Sequence, residues 1–266
     1  MNAVLMTTSA MFDEELAVGI DTVRKAAQLC QAVQATLSPG VLEKKDRSPV
    51  TVADFGSQAL ICAALREAFA EDPVIAEESS ALLRQPEQAP LVARVLEHLR
   101  PLRPDADAEA LFNWLDRGRT RSHCARFWTL DPIDGTKGFL RREQYAISLA
   151  LIIDGRIEVG VLGCPNLPAS GPLDAAASTP GAIFFAVRGR GAFMQPLHGG
   201  GVPVPIHVSR CDDVRRARFC ESVEAAHSAH DEAAALAQRL GLRAKPLRLD
   251  SQAKYALLSR GDAELY

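Results

Sequence analysis

The chain has 266 residues, of which 47% are hydrophobic and 24% are charged, which is enough apolar material for one large domain or two closely packed ones. Its formal net charge is −3 with both signs interspersed, so there is no basic stripe and we expect no polymeric nucleic acid partner. Because apolar runs fall short of a membrane span and a signal-peptide pattern is absent, we expect no membrane association and a cytoplasmic monomer, with import into an organelle left open.

The cysteine pattern points away from a zinc site and from a disulfide framework. The six cysteines contain no Cys-x-x-Cys pair, and most lie in apolar stretches. We therefore expect reduced thiols packed in the interior.

The first predicted elements are two amphipathic helices. Apolar residues three or four apart predict a helix over 13–37, and a second is predicted over about 53–69. The polar loop 46–54 delivers Asp54 into the first turn of the second helix, where Thr51 or Asp54 could alternatively act as a cap.

A short apolar run at 73–75 predicts a strand that leads into Glu77 and Glu78. The next segment, 86–122, is rich in charge and proline and has short helical patches at 91–99 and 109–117. We interpret it as a variable insertion with a solvated charged face and assign it no chemistry.

The most informative segment is 128–139, in which an apolar run ends in two acids three residues apart, Asp131 and Asp134. Carboxylate oxygens are the ligands that Mg²⁺ and Ca²⁺ prefer, and Pro132 restricts the backbone between the two acids. Gly135 permits a tight turn, and Thr136 adds a hydroxyl. The same residue types also form ordinary turns, but a second acidic strand end at Glu77 favours a shared metal site.

The rest of the chain predicts mostly strands and then alternating strands and helices. A hairpin with its turn at Asp154-Gly155 is followed by a loop at 165–181 that is rich in Pro, Gly, Ala and Ser. We place a domain boundary there, giving an α+β domain over 1–170 with the metal and catalytic loops and a partial α/β domain over 171–266 with substrate contacts. The elements around this boundary are strands at 145–153, 156–164, 182–187, 191–194, 206–208, 217–220 and 246–249, and helices at 230–240 and from 251.

Taken together, these segments resemble the lithium-sensitive, magnesium-dependent phosphatases of the inositol monophosphatase-like superfamily, and within it the 3′(2′),5′-bisphosphate nucleotidases. The Lys137-Gly138-Phe139 continuation resembles the nucleotidases more than the inositol monophosphatases. The segments that carry the resemblance cover most of the chain and are 46–54, 77–80, 128–141, 163–167, 186–193 and 249–255.

The resemblance implies a layered αβαβα sandwich and roughly two or three Mg²⁺ ions with inhibition by Li⁺. It implies that Glu77, Asp131, Asp134 and the carbonyl of Ile133 are metal ligands, and that Asp54 and Thr136 activate the nucleophilic water. The substrate contacts that it implies are Gly135, Thr136, His227, Ser251 and Lys254. From the residues alone, Lys254 is equally compatible with a surface position and Ser251 with a helix cap, whereas a plain surface histidine is the favoured interpretation of His227.

The chain departs from the family pattern at two places. Ala226 precedes His227 where the family usually has Gly, and the chain ends at Tyr266 where the family continues into an Arg-containing strand and a Trp-Asp-x-Ala-Ala-Gly segment. We therefore expect a truncated chain whose C-terminal layer is incomplete and which lacks one metal-binding carboxylate.

The resemblance predicts a Mg²⁺-dependent phosphatase that converts adenosine 3′(2′),5′-bisphosphate into AMP and phosphate. The alternatives are an inositol polyphosphate 1-phosphatase and a truncated binder of metal and nucleotide without catalytic activity. Preference between adenosine bisphosphate and its sulfated analogue stays open.

Overall fold

The computed structural model describes residues 11–36, 48–120, 124–169, 181–223 and 230–266. Its helices are α1 (Asp13–Ala35), α2 (Ser48–Ala68), α3 (Ala89–Leu99), α4 (Ala108–Arg117), α5 (Thr136–Leu140), α6 (His230–Leu240) and α7 (Ala253–Ser259). Its strands are β1 (Val74–Ala76), β2 (Arg126–Asp134), β3 (Ala146–Ile153), β4 (Arg156–Cys164), β5 (Ala182–Val187), β6 (Ala192–Pro196), β7 (Val204–Ile206), β8 (Cys220–Glu221) and β9 (Leu247–Arg248). None of the described helices is long and apolar enough to cross a membrane.

The first seven strands form one sheet in the order β1-β2-β3-β4-β5-β6-β7. The β1–β2 pair is parallel, and the other neighbouring pairs are antiparallel. The predicted hairpin is confirmed, because β3 and β4 are joined by Asp154 and Gly155 with φ angles of 49° and 74°. Two successive left-handed residues match the twist of the flanking strands, which is why Asp-Gly favours this turn.

Helices α1 and α2 pack against each other and against the large sheet. Residues 52–60 of α2 are all buried, since this helix is also covered by α3 and α4. A helix that is buried on nearly every side forms the centre of its layer. The first turn of α2 therefore leads directly into the interior.

The segment predicted as a solvated insertion is part of the core. Helices α3 and α4 lie close to the predicted patches, but their apolar faces pack on α2 and bury Val95, Leu99, Leu111 and Leu115. The charged residues of α3, such as Arg94 and Glu97, do lie on the exposed face. The composition revealed this solvated face but not the amphipathic stripe beneath it.

Helix α7 packs against β4 of the large sheet and against β8 of a second, two-stranded parallel sheet, β8–β9. The predicted layered arrangement of helices and sheets is confirmed: α1 and α2, the seven-stranded sheet, α7 and the small sheet follow one another. The large sheet does not divide at residue 170, because β5, β6 and β7 extend it to Ile206. The small sheet begins later, at Cys220.

Helix α2 begins earlier than the sequence predicts, at Ser48 instead of about residue 53. Proline is tolerated in the first turn of a helix, where its missing N–H has no partner to lose, so Pro49 does not delay the start. Thr51 and Asp54 consequently lie inside the helix. Asp54 is in the second turn of the helix, not the first.

Candidate active site

Two acidic segments meet at the same edge of the large sheet because β1 and β2 are parallel neighbours. Ala76 pairs with Leu130, so the next residues along the two strands are Glu77 and Asp131. Parallel strands present their carboxyl ends on one side of a sheet. The topology therefore explains why acids 54 residues apart in the chain share one site.

The regular hydrogen-bonded pairing of β2 with β3 is interrupted between Asp131 and Asp134. The register between β2 and β3 shifts between Asp131 and Asp134, so that Pro132 and Ile133 together fall opposite a single residue of β3. The Ile133 side chain is buried, and its backbone partly offsets the rise in the pKa of the Asp131 carboxyl group. Bulges of this kind redirect side chains at strand ends.

Asp54 points from α2 into this acidic region and is only 9% exposed. Burial, together with the nearby carboxylates of Glu78, Glu77 and Asp131, raises the pKa of Asp54 to about 8. Burial and the charges of Asp134 and Glu77 raise the pKa of Asp131 to about 7. Without a cation, these groups therefore retain protons at pH values where isolated carboxyl groups are ionised.

The donor chemistry of this region fits Mg²⁺. The carboxylates repel one another, and the buried Oδ1 atom of Asp131 has no hydrogen-bond partner. A hard divalent cation takes oxygen ligands and would relieve both conditions. Over the described ranges, however, no three acidic, His or Cys side chains converge closely enough to constitute a ready-made ion site.

A cavity of about 440 Å³ reaches Asp134 and lies between the α5 turn and the start of α7. Four of the predicted substrate-contacting residues line it: Gly135, Thr136, Ser251 and Lys254. The other residues that line it include Lys137, Ser222 and Asp250. The structure thus brings together side chains from segments more than 100 residues apart in the sequence.

The two walls of this cavity approach each other closely at Gly135. Gly135 has a φ of +90°, and a Cβ atom on it would lie 2.8 Å from the Cβ of Ser251. The Asp134 carboxylate accepts the backbone N–H of Gln252, and Arg141 forms an ion pair with Asp250. One oxygen of the Asp134 carboxylate is therefore engaged at the residue that precedes α7, while its charge still acts on Asp131.

Ser251 and Lys254 occupy more specialised positions than a cap and a surface lysine. Ser251 has a left-handed φ of 71°, and its hydroxyl accepts the backbone N–H of Ala253, so the cap-like contact and the cavity position coexist. Lys254 is only 6% exposed and donates to Ser222 Oγ at 2.9 Å. A buried ammonium group facing a polar cavity is suited to bind an anion.

Two further predicted site residues, Thr136 and His227, are not shown in contact with the acidic residues. Thr136 is exposed at the start of α5, and it is not hydrogen-bonded to Asp54 in the described part of the chain. His227 lies outside the described residues. The residues predicted for the site did not include Glu78, whose charge raises the pKa of Asp54 more than that of Glu77 does. The position of Glu78 next to Glu77, after the same apolar run, could have identified it as a site residue.

Comparisons with known proteins agree with this architecture. The profile of the inositol monophosphatase family matches residues 11–266. The 3′(2′),5′-bisphosphate nucleotidase of Schizosaccharomyces pombe is 40% identical over 96% of this chain and 76% of its own length. The 3′(2′),5′-bisphosphate nucleotidase 1 of Arabidopsis thaliana is 39% identical over 96% of this chain and 77% of its own length.

Among solved structures, CysQ from Bacteroides thetaiotaomicron, described as a bacterial member of the inositol monophosphatase family, has a similar fold. It superposes with a TM-score of 0.62 at 20% identity, over 95% of this chain and 79% of that chain. The profile match over nearly the whole chain, together with relatives near 40% identity, decides the assignment. The protein belongs to the inositol monophosphatase family.

Proposed function

We propose that this protein is a 3′(2′),5′-bisphosphate nucleotidase that hydrolyses adenosine 3′(2′),5′-bisphosphate to AMP and phosphate. The observation that carries the proposal is the identity of about 40% with curated nucleotidases of that name over 96% of the chain. The cavity supports it, since it brings a buried lysine and two hydroxyl groups together with the Asp134 carboxylate.

The residues that would hold Mg²⁺ are Glu77, Asp131, Asp134 and the carbonyl of Ile133, with two or three ions as the proposed number. When bound, Mg²⁺ supplies positive charge that neutralises phosphoryl oxygens and favours ionisation of neighbouring carboxyl groups and water. The orphaned Oδ1 atom of Asp131 supports its place in this set. By family resemblance, Li⁺ inhibits the reaction.

The chain's own groups account for the remaining steps. Phosphate oxygens of the substrate would accept hydrogen bonds from Lys254, Ser251 and Thr136 on the walls of the cavity. Asp54, once ionised, would accept a proton from the attacking water through the Thr136 hydroxyl. Without a cation, burial and the neighbouring carboxylates raise the pKa of Asp54, and bound Mg²⁺ would favour its ionised form, which can accept a proton.

Phosphate release from adenosine 3′,5′-bisphosphate, with Mg²⁺ and with a chelator, tests the proposal. We expect release that requires Mg²⁺ and no release from 5′-AMP, which is the product. Inositol 1,4-bisphosphate serves as the rival substrate in the same assay. No release from the nucleotide, or faster release from the inositol phosphate, would overturn the proposal.

A further inference from the structure

Helix α2 carries two buried polar side chains directly beside Asp54. Ser57 and Gln58 follow it by three and four residues, so all three side chains lie on one face of the helix. Both are 0% exposed. Because burial of a polar group is costly unless it is hydrogen-bonded, the partners of these two side chains reveal their role.

Ser57 holds the acidic segment at the end of β2. Its hydroxyl donates to the backbone carbonyl of Pro132 at 3.0 Å. Pro132 lies between Asp131 and Ile133, where the regular pairing with β3 is interrupted. The hydrogen bond from Ser57 on α2 thus holds the part of β2 that is not regularly paired with β3.

Gln58 holds the acidic segment at the end of β1. Its amide nitrogen donates to the carbonyl of Glu78 at 2.7 Å, and its amide oxygen accepts the N–H of Glu78 at 2.8 Å. The side-chain amide of Gln58 therefore pairs with both the N–H and the C=O of Glu78, as the backbone of a neighbouring strand would. Gly118 permits this arrangement, because a Cβ atom there would lie 2.9 Å from the Gln58 amide nitrogen.

We propose that Ser57 and Gln58 are positioning residues that set the spacing between the two acidic strand ends and Asp54, and thereby determine the affinity for Mg²⁺. The inference rests on the proposed function, since it concerns the same carboxylates. Neither side chain is itself assigned as a ligand. They act through the backbone of segments that lie 75 and 20 residues away in the sequence.

The test is calorimetric titration of the full chain with Mg²⁺ in the absence of substrate, for Ser57→Ala, Gln58→Met and wild type. Loss of a group that orients metal ligands typically weakens metal affinity about 10- to 100-fold, and we expect a weakening in this range for each variant. Activity at saturating Mg²⁺ should recover toward the wild-type value, because the change concerns ion affinity.

Thr22→Val is the matched control. Thr22 is also a buried hydroxyl that donates to a backbone carbonyl, but that carbonyl belongs to Leu60 on α2 and lies outside both acidic segments. Thermal unfolding in chelator, measured for all the variants, separates lost stability from lost affinity. The control should lose stability to a similar extent and keep wild-type Mg²⁺ affinity.

Mg²⁺ affinity equal to wild type in Ser57→Ala and Gln58→Met, or equally weakened in Thr22→Val, would overturn the inference. Should Gln58→Met fail to fold, Ser57→Ala decides alone, because it removes a single hydroxyl and keeps the Cβ. A wild-type chain that binds no Mg²⁺ and releases no phosphate would instead refute the proposed function. The two failures are therefore distinguishable.

Discussion

Asp54 is expected to reduce the stability of the metal-free protein while serving catalysis. Burial and neighbouring carboxylates raise its pKa from 3.8 to about 8. An acid with a raised pKa in the folded state binds its proton more tightly there than in the unfolded chain. The resulting penalty is absent below pH 3.8, grows as the pH rises, and is complete above about pH 8.

The loss of folding free energy can be calculated from the difference between the folded and unfolded pKa values of Asp54. Each unit corresponds to about 1.4 kcal/mol, so the full displacement corresponds to about 6 kcal/mol at pH 8. Asparagine removes the charge, but its buried amide must itself find hydrogen bonds, which offsets part of the gain. We therefore expect Asp54→Asn to raise the free energy of unfolding in chelator by about 1–3 kcal/mol at pH 8.

The assay is urea unfolding of the metal-free protein at pH 5 and pH 8, with exposed Asp212→Asn as the control. The stabilisation by Asp54→Asn should be larger at pH 8 than at pH 5, and the control should show neither effect. The same substitution should lower kcat about 10²- to 10⁴-fold, as expected for loss of a general base. A variant that is less stable than wild type at pH 8, or whose stability change is independent of pH, would refute the electrostatic reasoning.

Three further predictions concern the cavity. Lys254→Met should raise KM for the nucleotide about 10- to 100-fold in steady-state kinetics, since a charged hydrogen bond contributes about 1.5–3 kcal/mol; an unchanged KM would remove Lys254 from the substrate site. Gly135→Ala should lower the free energy of unfolding by at least about 1–2 kcal/mol in urea, because of the left-handed φ and the contact with Ser251, and a neutral result would contradict that close approach. Asp250→Asn should destabilise by about 1–3 kcal/mol, with Arg141→Ala non-additive in a double-mutant cycle; strict additivity would show that their ion pair contributes nothing.

Much of the fold is predictable because its elements have clear periodicity or strong turns. The helix of α1 and the hairpin of β3 and β4 fall within a few residues of their predicted positions. The start of α2 is not predictable in this way, because a Ser-Pro turn is compatible with a loop until the packing around it is known. The strands predicted at 217–220 and 246–249 overlap β8 and β9, but these strands have only two residues each, so their ends depend on tertiary context.

The candidate site was only partly accessible from the sequence. Acidic pairs after apolar runs identify Glu77 and Asp131 locally. Ser57 and Gln58 carry no such signal, because their partners are backbone atoms that only the folded chain brings near. The turn of Asp134 toward Gln252 likewise depends on the position of α7.

The most direct test of the central claim is ³¹P NMR of the reaction with adenosine 3′,5′-bisphosphate and Mg²⁺. The account predicts that the 3′-phosphate signal is replaced by that of inorganic phosphate while the 5′-phosphate signal persists as AMP, and that chelator stops the conversion. Loss of the 5′-phosphate, conversion that continues in chelator, or no conversion by the wild-type chain would contradict it.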